Sequence, residues 1–234
     1  MKIKVFADGA NIDGMLDMYN NGNVQGFTTN PSLMKAGGVT NYREFAFEVL
    51  DKIKDVPVSF EVFADDSESM YKEAKEIASW ADNVYVKIPA MNTKGEPTFD
   101  LVKKLSAEGV KVNVTTIFTE EQVEKFVDAL DPQTPSIISI FAGRIADTGE
   151  DPVPLMKWAV EIAAAKPNCE VLWASTRELL NIYHAENCGC QIITVPNNIL
   201  NKRANIGKDL YEYSQETVQT FARDIETLGF KILA

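Results

Sequence analysis

The chain has 234 residues, enough for one large domain. Hydrophobic residues make up 45% of it and charged residues 24%, which excludes an intrinsically disordered chain. With 23 Lys and Arg against 34 Asp and Glu, the net charge is -11, which argues against non-specific nucleic-acid binding and against an anionic membrane partner, while a phosphate ligand still needs only a local cluster of Arg or Lys.

From the N-terminus onward, short apolar runs alternate with stretches of helical period. The runs are KIKVFAD, VQGFTTN, VPVSFEVFAD, NVYVKIP, VKVNVTTIF, PSIISIFAG, CEVLWAS and CQIITVP. Each is about a strand long and rich in β-branched or aromatic residues. Between them, SESMYKEAKEIASWA, TFDLVKKLSAEG, TEEQVEKFVDAL and VPLMKWAVEIAAAK carry apolar residues at helical spacing and charges on the opposite face. Ser67 and Thr119 stand where N-caps belong, and Gly109 where a helix ends. Strict alternation predicts a parallel sheet. Eight units in a length a little under the typical ~250 residues favour a closed (β/α)8 TIM barrel over an open doubly wound sheet. No G-x-G-x-x-G or G-x-x-x-x-G-K occurs, so no nucleotide loop is expected.

The N-terminal MKIKVFADG has too short an apolar run for a signal peptide to be expected, and no run of about 18 apolar residues exists to span a membrane. Cys169, Cys188 and Cys190 are odd in number and badly spaced for a disulfide framework, so reduced structural thiols in a cytoplasmic protein are expected. His184 is the one histidine, in a helical stretch that puts it at the surface. A multi-histidine zinc site is excluded and a serine or cysteine triad disfavoured, so acid/base work falls to Lys, Asp or Glu, with neither metal nor cofactor.

A barrel places its active site at the C-terminal ends of its strands. Those ends carry Asp8, Thr28 to Asn30, Glu61, Lys87, Asn113 with Thr115, Ser139 with Arg144 just beyond, and Ser175 with Arg177 just beyond. Period two sharpens the pattern. Val84, Val86 and Ile88 share one face of their strand and should meet the helices, which turns Lys87 and Tyr85 into the barrel. Ser59 and Glu61, and then Asn113 and Thr115, share the inward face of the neighbouring strands. Each residue has a plainer reading: Asp8 as a helix cap, Asn30 as a turn residue before Pro31, Glu61 as an ion-pair partner of Lys87, the arginines as surface ion pairs. Convergence of so many polar groups on one end favours a site.

A lysine in a dry pocket loses its proton more easily and becomes a nucleophile toward a carbonyl. The resulting iminium is an electron sink that lets a neighbouring C–C bond break. Asp8 is placed to take the proton from the departing hydroxyl, Glu61 and Thr115 to hold the water that imine chemistry requires. Asn30, Asn113 and Ser139 suit sugar hydroxyls, and Arg144 with Arg177 a phosphate.

GFTTNPSL, VYVKIP, VNVTTIF, SIFAGRIAD and WASTREL, in this order, resemble the signature segments of the transaldolase family, and the length resembles its short subfamily, which includes fructose-6-phosphate aldolases. The resemblance implies a (β/α)8 barrel that moves a dihydroxyacetone unit from a ketose phosphate to an aldose phosphate in the pentose phosphate pathway. It implies Lys87 as Schiff-base lysine, Asp8 as acid/base, Glu61 and Thr115 as holders of the water, and Thr28, Asn30, Asn113, Ser139, Phe141, Arg144, Ser175 and Arg177 as substrate contacts. Aldolase-type members carry Gln at the place of Glu61 and Tyr at that of Phe141, so both residues resemble the transaldolase pattern. A lyase and a non-catalytic sugar-phosphate-binding barrel remain the alternatives. The resemblance further implies a single domain over residues 1–234 with a C-terminal helical extension over 205–234, sugar phosphate substrates, and a homo-oligomer, decamer or pentamer, in which YEYSQETVQTFARDIETLGF packs on a neighbour.

Overall fold

All eight runs read as strands do form strands, and they close in chain order into a parallel barrel, in a computed structural model that describes residues 2–22 and 24–232. The elements of residues 1–200 alternate: β1 (Lys4–Asp8), α1 (Ile12–Asn20), β2 (Phe27–Thr28), α2 (Pro31–Ala36), α3 (Tyr42–Lys52), β3 (Val58–Glu61), α4 (Ser67–Ala78), β4 (Val84–Pro89), α5 (Phe99–Ala107), β5 (Val112–Ile117), α6 (Glu120–Ala129), β6 (Ser136–Ile140), α7 (Ala142–Ala146), α8 (Val153–Ala163), β7 (Cys169–Trp173), α9 (Leu180–Asn187), β8 (Ile192–Pro196) and α10 (Asn197–Leu200). β1 pairs with β8 over five residues, Lys4 with Ile192 through Asp8 with Pro196, and so shuts the barrel.

Period two divides every strand between two cores. Val84, Val86 and Ile88 of β4, Val112 and Val114 of β5, and Ile138 and Ile140 of β6 face outward and join the apolar layer under the helices. The inward set is smaller: Phe6, Ile137, Leu172, Ala174 and Ile192, with Tyr85 and Phe141 packed against it. A parallel barrel needs its outer face continuously apolar because helices cover it, while its lumen has room for polar groups only at the open end.

Local chemistry sets the helix boundaries. Thr119 caps α6 in a capping box with Gln122. Gly109, with φ near 81°, ends the last turn of α5, a conformation that an L side chain resists. α4 is capped one residue earlier than the sequence suggests, by the Asp66 carboxylate on Ser69 N–H. His184 is half-buried rather than on the surface, with its ring centroid 6.3 Å from that of Trp173. The three cysteines are free and buried, and burial pushes the Cys169 thiol up to about 12.

Residues 201–234 form a second compact unit. It holds a 3-10 turn, Asn201–Asn205, and α11 (Leu210–Leu228), capped by the Asp209 carboxylate on Tyr211 and Glu212 N–H and ended by Gly229 at φ 66°. Val218, Phe221, Ile225 and Leu228 recur at three- and four-residue steps on α11, with Tyr211 seven residues ahead of Val218, and all five are exposed. The last two residues of the extension expected over 205–234 lie outside the described ones. No helix among the described residues is long and apolar enough to cross a membrane.

Candidate active site

β4 delivers Lys87 to the lumen because its other face is committed to the outer core. The side chains of Lys87 and Glu61 are only 9% and 16% exposed, so neither charge is hydrated as it would be at a surface. The cost of that burial is offset by pairing and hydrogen bonds. Lys87 Nζ donates to Glu61 Oε2 at 3.1 Å and to the Thr29 carbonyl at 2.8 Å. Register sets the first contact, since Glu61 of β3 stands directly beside Lys87 of β4.

Asp8 ends β1 on the same rim. It caps no helix, because Asn11 holds that place at the start of α1. Burial pushes its carboxyl above the ordinary aspartate value, while the nearby Lys87 charge and a hydrogen bond from Thr28 Oγ1, 2.9 Å away, pull it back. Thr28 Oγ1 also lies 2.5 Å from Thr194 Oγ1 of β8, so the three hydroxyl and carboxyl groups form one chain across β1, β2 and β8. Asn30 uses its side-chain carbonyl to cap α2 on Leu33 N–H, and the residue lines the cavity.

β5 contributes through a bulge. Its register with β6 shifts between Val114 and Ile117, and Thr116 takes φ 59°, a left-handed value that a β-branched residue resists. Thr116 Oγ1 accepts from Ala90 N–H at 3.1 Å and ties the bulge to the end of β4. Thr115 lines the cavity with a buried hydroxyl that has no hydrogen-bond partner among the described residues. Asn113 does not reach the cavity wall. It is fully buried, level with Lys87 in register, and its amide donates to Ser59 Oγ at 3.1 Å and accepts from Ser139 Oγ at 2.6 Å. Asn113 therefore orients Ser139, which is on the wall.

The far side of the cavity carries the arginines. Arg144 on α7 lies over the Phe141 ring, 5.5 Å from its centroid. Arg177 forms a two-point ion pair with Asp147. Ser175 is left-handed, with φ 64°, and its carbonyl runs so close to Gly143 that a Cβ there would stand 1.6 Å from it. Gly143 is thus required by close approach, and it holds α7 against the end of β7.

These side chains line one cavity of roughly 410 Å³. Of the residues expected at the site, Asp8, Thr28, Asn30, Glu61, Lys87, Thr115, Ser139, Phe141, Arg144, Ser175 and Arg177 are on its wall, and Asn113 is not. Sequence reasoning missed Thr194, Thr176 and Asp147. Thr194 carried a readable signal, a lone polar residue between Ile193 and Val195 on the inward face of β8. Asp147 carried none, because its partner Arg177 is thirty positions away.

Three comparisons bear on this geometry. A family profile described as transaldolase/fructose-6-phosphate aldolase matches residues 5–232. A protein of Methanococcus maripaludis named probable transaldolase is 38% identical over 207 residues, which is 87% of this chain and 90% of that one. One from Dehalococcoides mccartyi with the same name is 35% identical over 85% of this chain and 88% of its own. A third, from Thermoanaerobacter, also named probable transaldolase, is 33% identical over 98% of this chain and 100% of its own. Among solved structures, KGPDC from Streptococcus mutans superposes with a TM-score of 0.56 over 86% of this chain and 91% of that one. At 13% identity, that likeness speaks for the barrel fold alone.

Proposed function

Because the chain belongs to the transaldolase/fructose-6-phosphate aldolase family, we propose that it is a transaldolase of the pentose phosphate pathway, which moves a dihydroxyacetone unit from fructose 6-phosphate or sedoheptulose 7-phosphate to an aldose phosphate. The observation that carries this reading is the amine of Lys87, buried in the lumen on the Glu61 carboxylate and open to a cavity that Asp8 and two arginines also line.

The steps follow from the placement of the groups. The Lys87 amine adds to the C2 carbonyl of the ketose, and water leaves as the iminium forms. The Asp8 carboxylate takes the proton from the C4 hydroxyl; the C3–C4 bond breaks, and its electron pair moves to the iminium, giving an enamine and a free aldehyde. A burial-raised carboxyl suits this role, since it gives the proton back when the enamine adds to the acceptor aldehyde. Glu61 and the unpartnered hydroxyl of Thr115 hold the water that enters and leaves with the imine. Asn30, Thr28 and Ser139 bind substrate hydroxyls, with Asn113 behind Ser139. Arg144, Arg177 and Ser175 receive the phosphate, and Arg177 keeps Asp147 as its anchor.

Phe141 offers the enamine no proton, which keeps it waiting for an acceptor. A cytoplasmic location fits three free thiols. The exposed apolar stripe of α11 supports a homo-oligomer in which that helix is covered by another copy. The test is borohydride reduction in the presence of fructose 6-phosphate, followed by peptide mapping. Label on Lys87 is expected, and label on another lysine overturns the mechanism. Release of free dihydroxyacetone without an acceptor turns the assignment to the lyase.

A further inference from the structure

The hydrogen-bond ladder between β2 and β3 stops one rung early, and both halves of the absent rung are used at the site. The ladder runs from Phe27 N–H to the Pro57 carbonyl at 2.8 Å and from Thr29 N–H to the Ser59 carbonyl at 3.3 Å. In the alternation of a parallel pair, the next rung runs from Glu61 N–H to the Thr29 carbonyl. Here Glu61 N–H donates instead to Tyr42 Oη at 2.8 Å, and the Thr29 carbonyl accepts from Lys87 Nζ at 2.8 Å. Tyr42 Oη in turn donates to the Glu61 carbonyl at 3.0 Å, so one hydroxyl grips both backbone groups of the residue.

Tyr42 is on α3, and its ring is wedged among Phe60, Phe63 and Trp80, with centroids 6.1, 4.5 and 5.9 Å away. Burial and the Glu61 carboxylate beside it push the phenol above its ordinary range, so the hydroxyl keeps the proton that it donates. A buried N–H must find an acceptor. Without the phenol, the nearest solution for Glu61 N–H is the regular rung to Thr29.

We propose that Tyr42 is a positioning residue for Lys87: by capping the Glu61 backbone, it keeps the Thr29 carbonyl free to hold the lysine amine. The use of that amine rests on the reading given under the proposed function, but the geometry does not. Two fixed acceptors, Thr29 from β2 and Glu61 from β3, leave the remaining valence of Nζ aimed at the cavity. Asp8 from β1 and the two arginines across the cavity are the other charges that face it.

Tyr42→Phe removes the hydroxyl and keeps the ring. Lys87 is then acylated in the ligand-free protein with a small anhydride near neutral pH, and the rate is read by peptide mass spectrometry. Closing the rung weakens one charge-assisted hydrogen bond of the amine, so its acylation is expected to rise by about tenfold. A merely structural loosening raises modification of other buried groups too, so alkylation of Cys169 is read in parallel and is expected to stay unchanged. Replacement of Tyr42 by 3-fluorotyrosine, which keeps ring and hydroxyl but weakens the oxygen as an acceptor, gives an intermediate rise and serves where Tyr42→Phe does not fold. Equal Lys87 acylation in wild type and variants, or a rise shared with Cys169, overturns the proposal. Borohydride trapping of the wild type with fructose 6-phosphate reports separately on the imine, so failure of either idea is seen without the other.

Discussion

Gly143→Ala tests how α7 is seated against the end of β7. The added Cβ would stand 1.6 Å from the Ser175 carbonyl oxygen and 2.7 Å from its carbon, where real Cβ contacts essentially never fall under 3.0 Å. The oxygen must therefore recede by 3.0 − 1.6, about 1.4 Å. It cannot do so cheaply, because Ala174 N–H is bonded to the Ile140 carbonyl at 2.8 Å and Thr176 Oγ1 to the Thr194 carbonyl at 2.7 Å, on either side of a residue already at positive φ. Overpacking of this kind costs about 3 kcal/mol. For a chain of this size that lowers the melting temperature by roughly 6–12 °C, measured by calorimetry. The same displacement moves Arg144, Ser175 and Arg177, and misplacement by an ångström weakens a positioned contact severely. KM for fructose 6-phosphate should rise by about tenfold, which is the loss of roughly 1.4 kcal/mol of binding. Imine trapping with dihydroxyacetone, which has no phosphate, should hardly change. A variant that melts like the wild type and keeps its KM refutes the close approach and the phosphate assignment together.

Lys87→Met should abolish trapping and turnover but leave a cooperatively folded barrel. It strands Glu61, which costs about 2 kcal/mol in denaturant titrations, and adding Glu61→Gln should recover most of that; an unfolded single variant would contradict the reading. Asp8 supplies a pH test: burial keeps its proton on in the folded state above the ordinary aspartate range of about 3.9. The folded state thus binds more protons across that window, stability falls as pH climbs through it, and Asp8→Asn should erase the slope. Thr28→Val removes a bond that lowers the same carboxyl, so the acid limb of turnover should move to higher pH; a shift to lower pH would contradict the role of Asp8. On the proposal that another copy covers α11, Phe221→Asp with Ile225→Asp should lower the mass seen in light scattering, and an unchanged mass would count against it.

The strands were legible because a parallel barrel demands a continuous apolar outer face, and Val84, Val86 and Ile88 leave Lys87 only one direction to point. The same period turns Glu61 and Thr115 to the lumen, where both line the cavity. It turns Asn113 to the lumen too, but alternation gives the face of a residue and not how far its side chain reaches: Asn113 stands level with Lys87, and its shorter side chain is spent on Ser59 and Ser139. The bulge at Thr116 was not readable either, since nothing in the pattern VNVTTIF distinguishes a β-former from a β-branched residue forced to positive φ.

The two carboxylates beside Lys87 are chemically alike in the sequence and are made different by what surrounds them. Asp8 is held by the Thr28 hydroxyl, with Thr194 behind it, and by the nearby Lys87 charge, and together these pull its carboxyl back less than burial raises it. Glu61 has the Lys87 amine at 3.1 Å and a backbone clamped by Tyr42. On the proposed mechanism, Asp8 is the group that exchanges a proton with substrate and Glu61 the one that stays with the amine. That division depends on a phenol from α3 and a hydroxyl from β8, neither adjacent in sequence to the group that it serves. A site of this kind is specified by its faces but tuned by its neighbours, so substitutions at Tyr42 and Thr194 should alter catalysis although neither residue carries a charge.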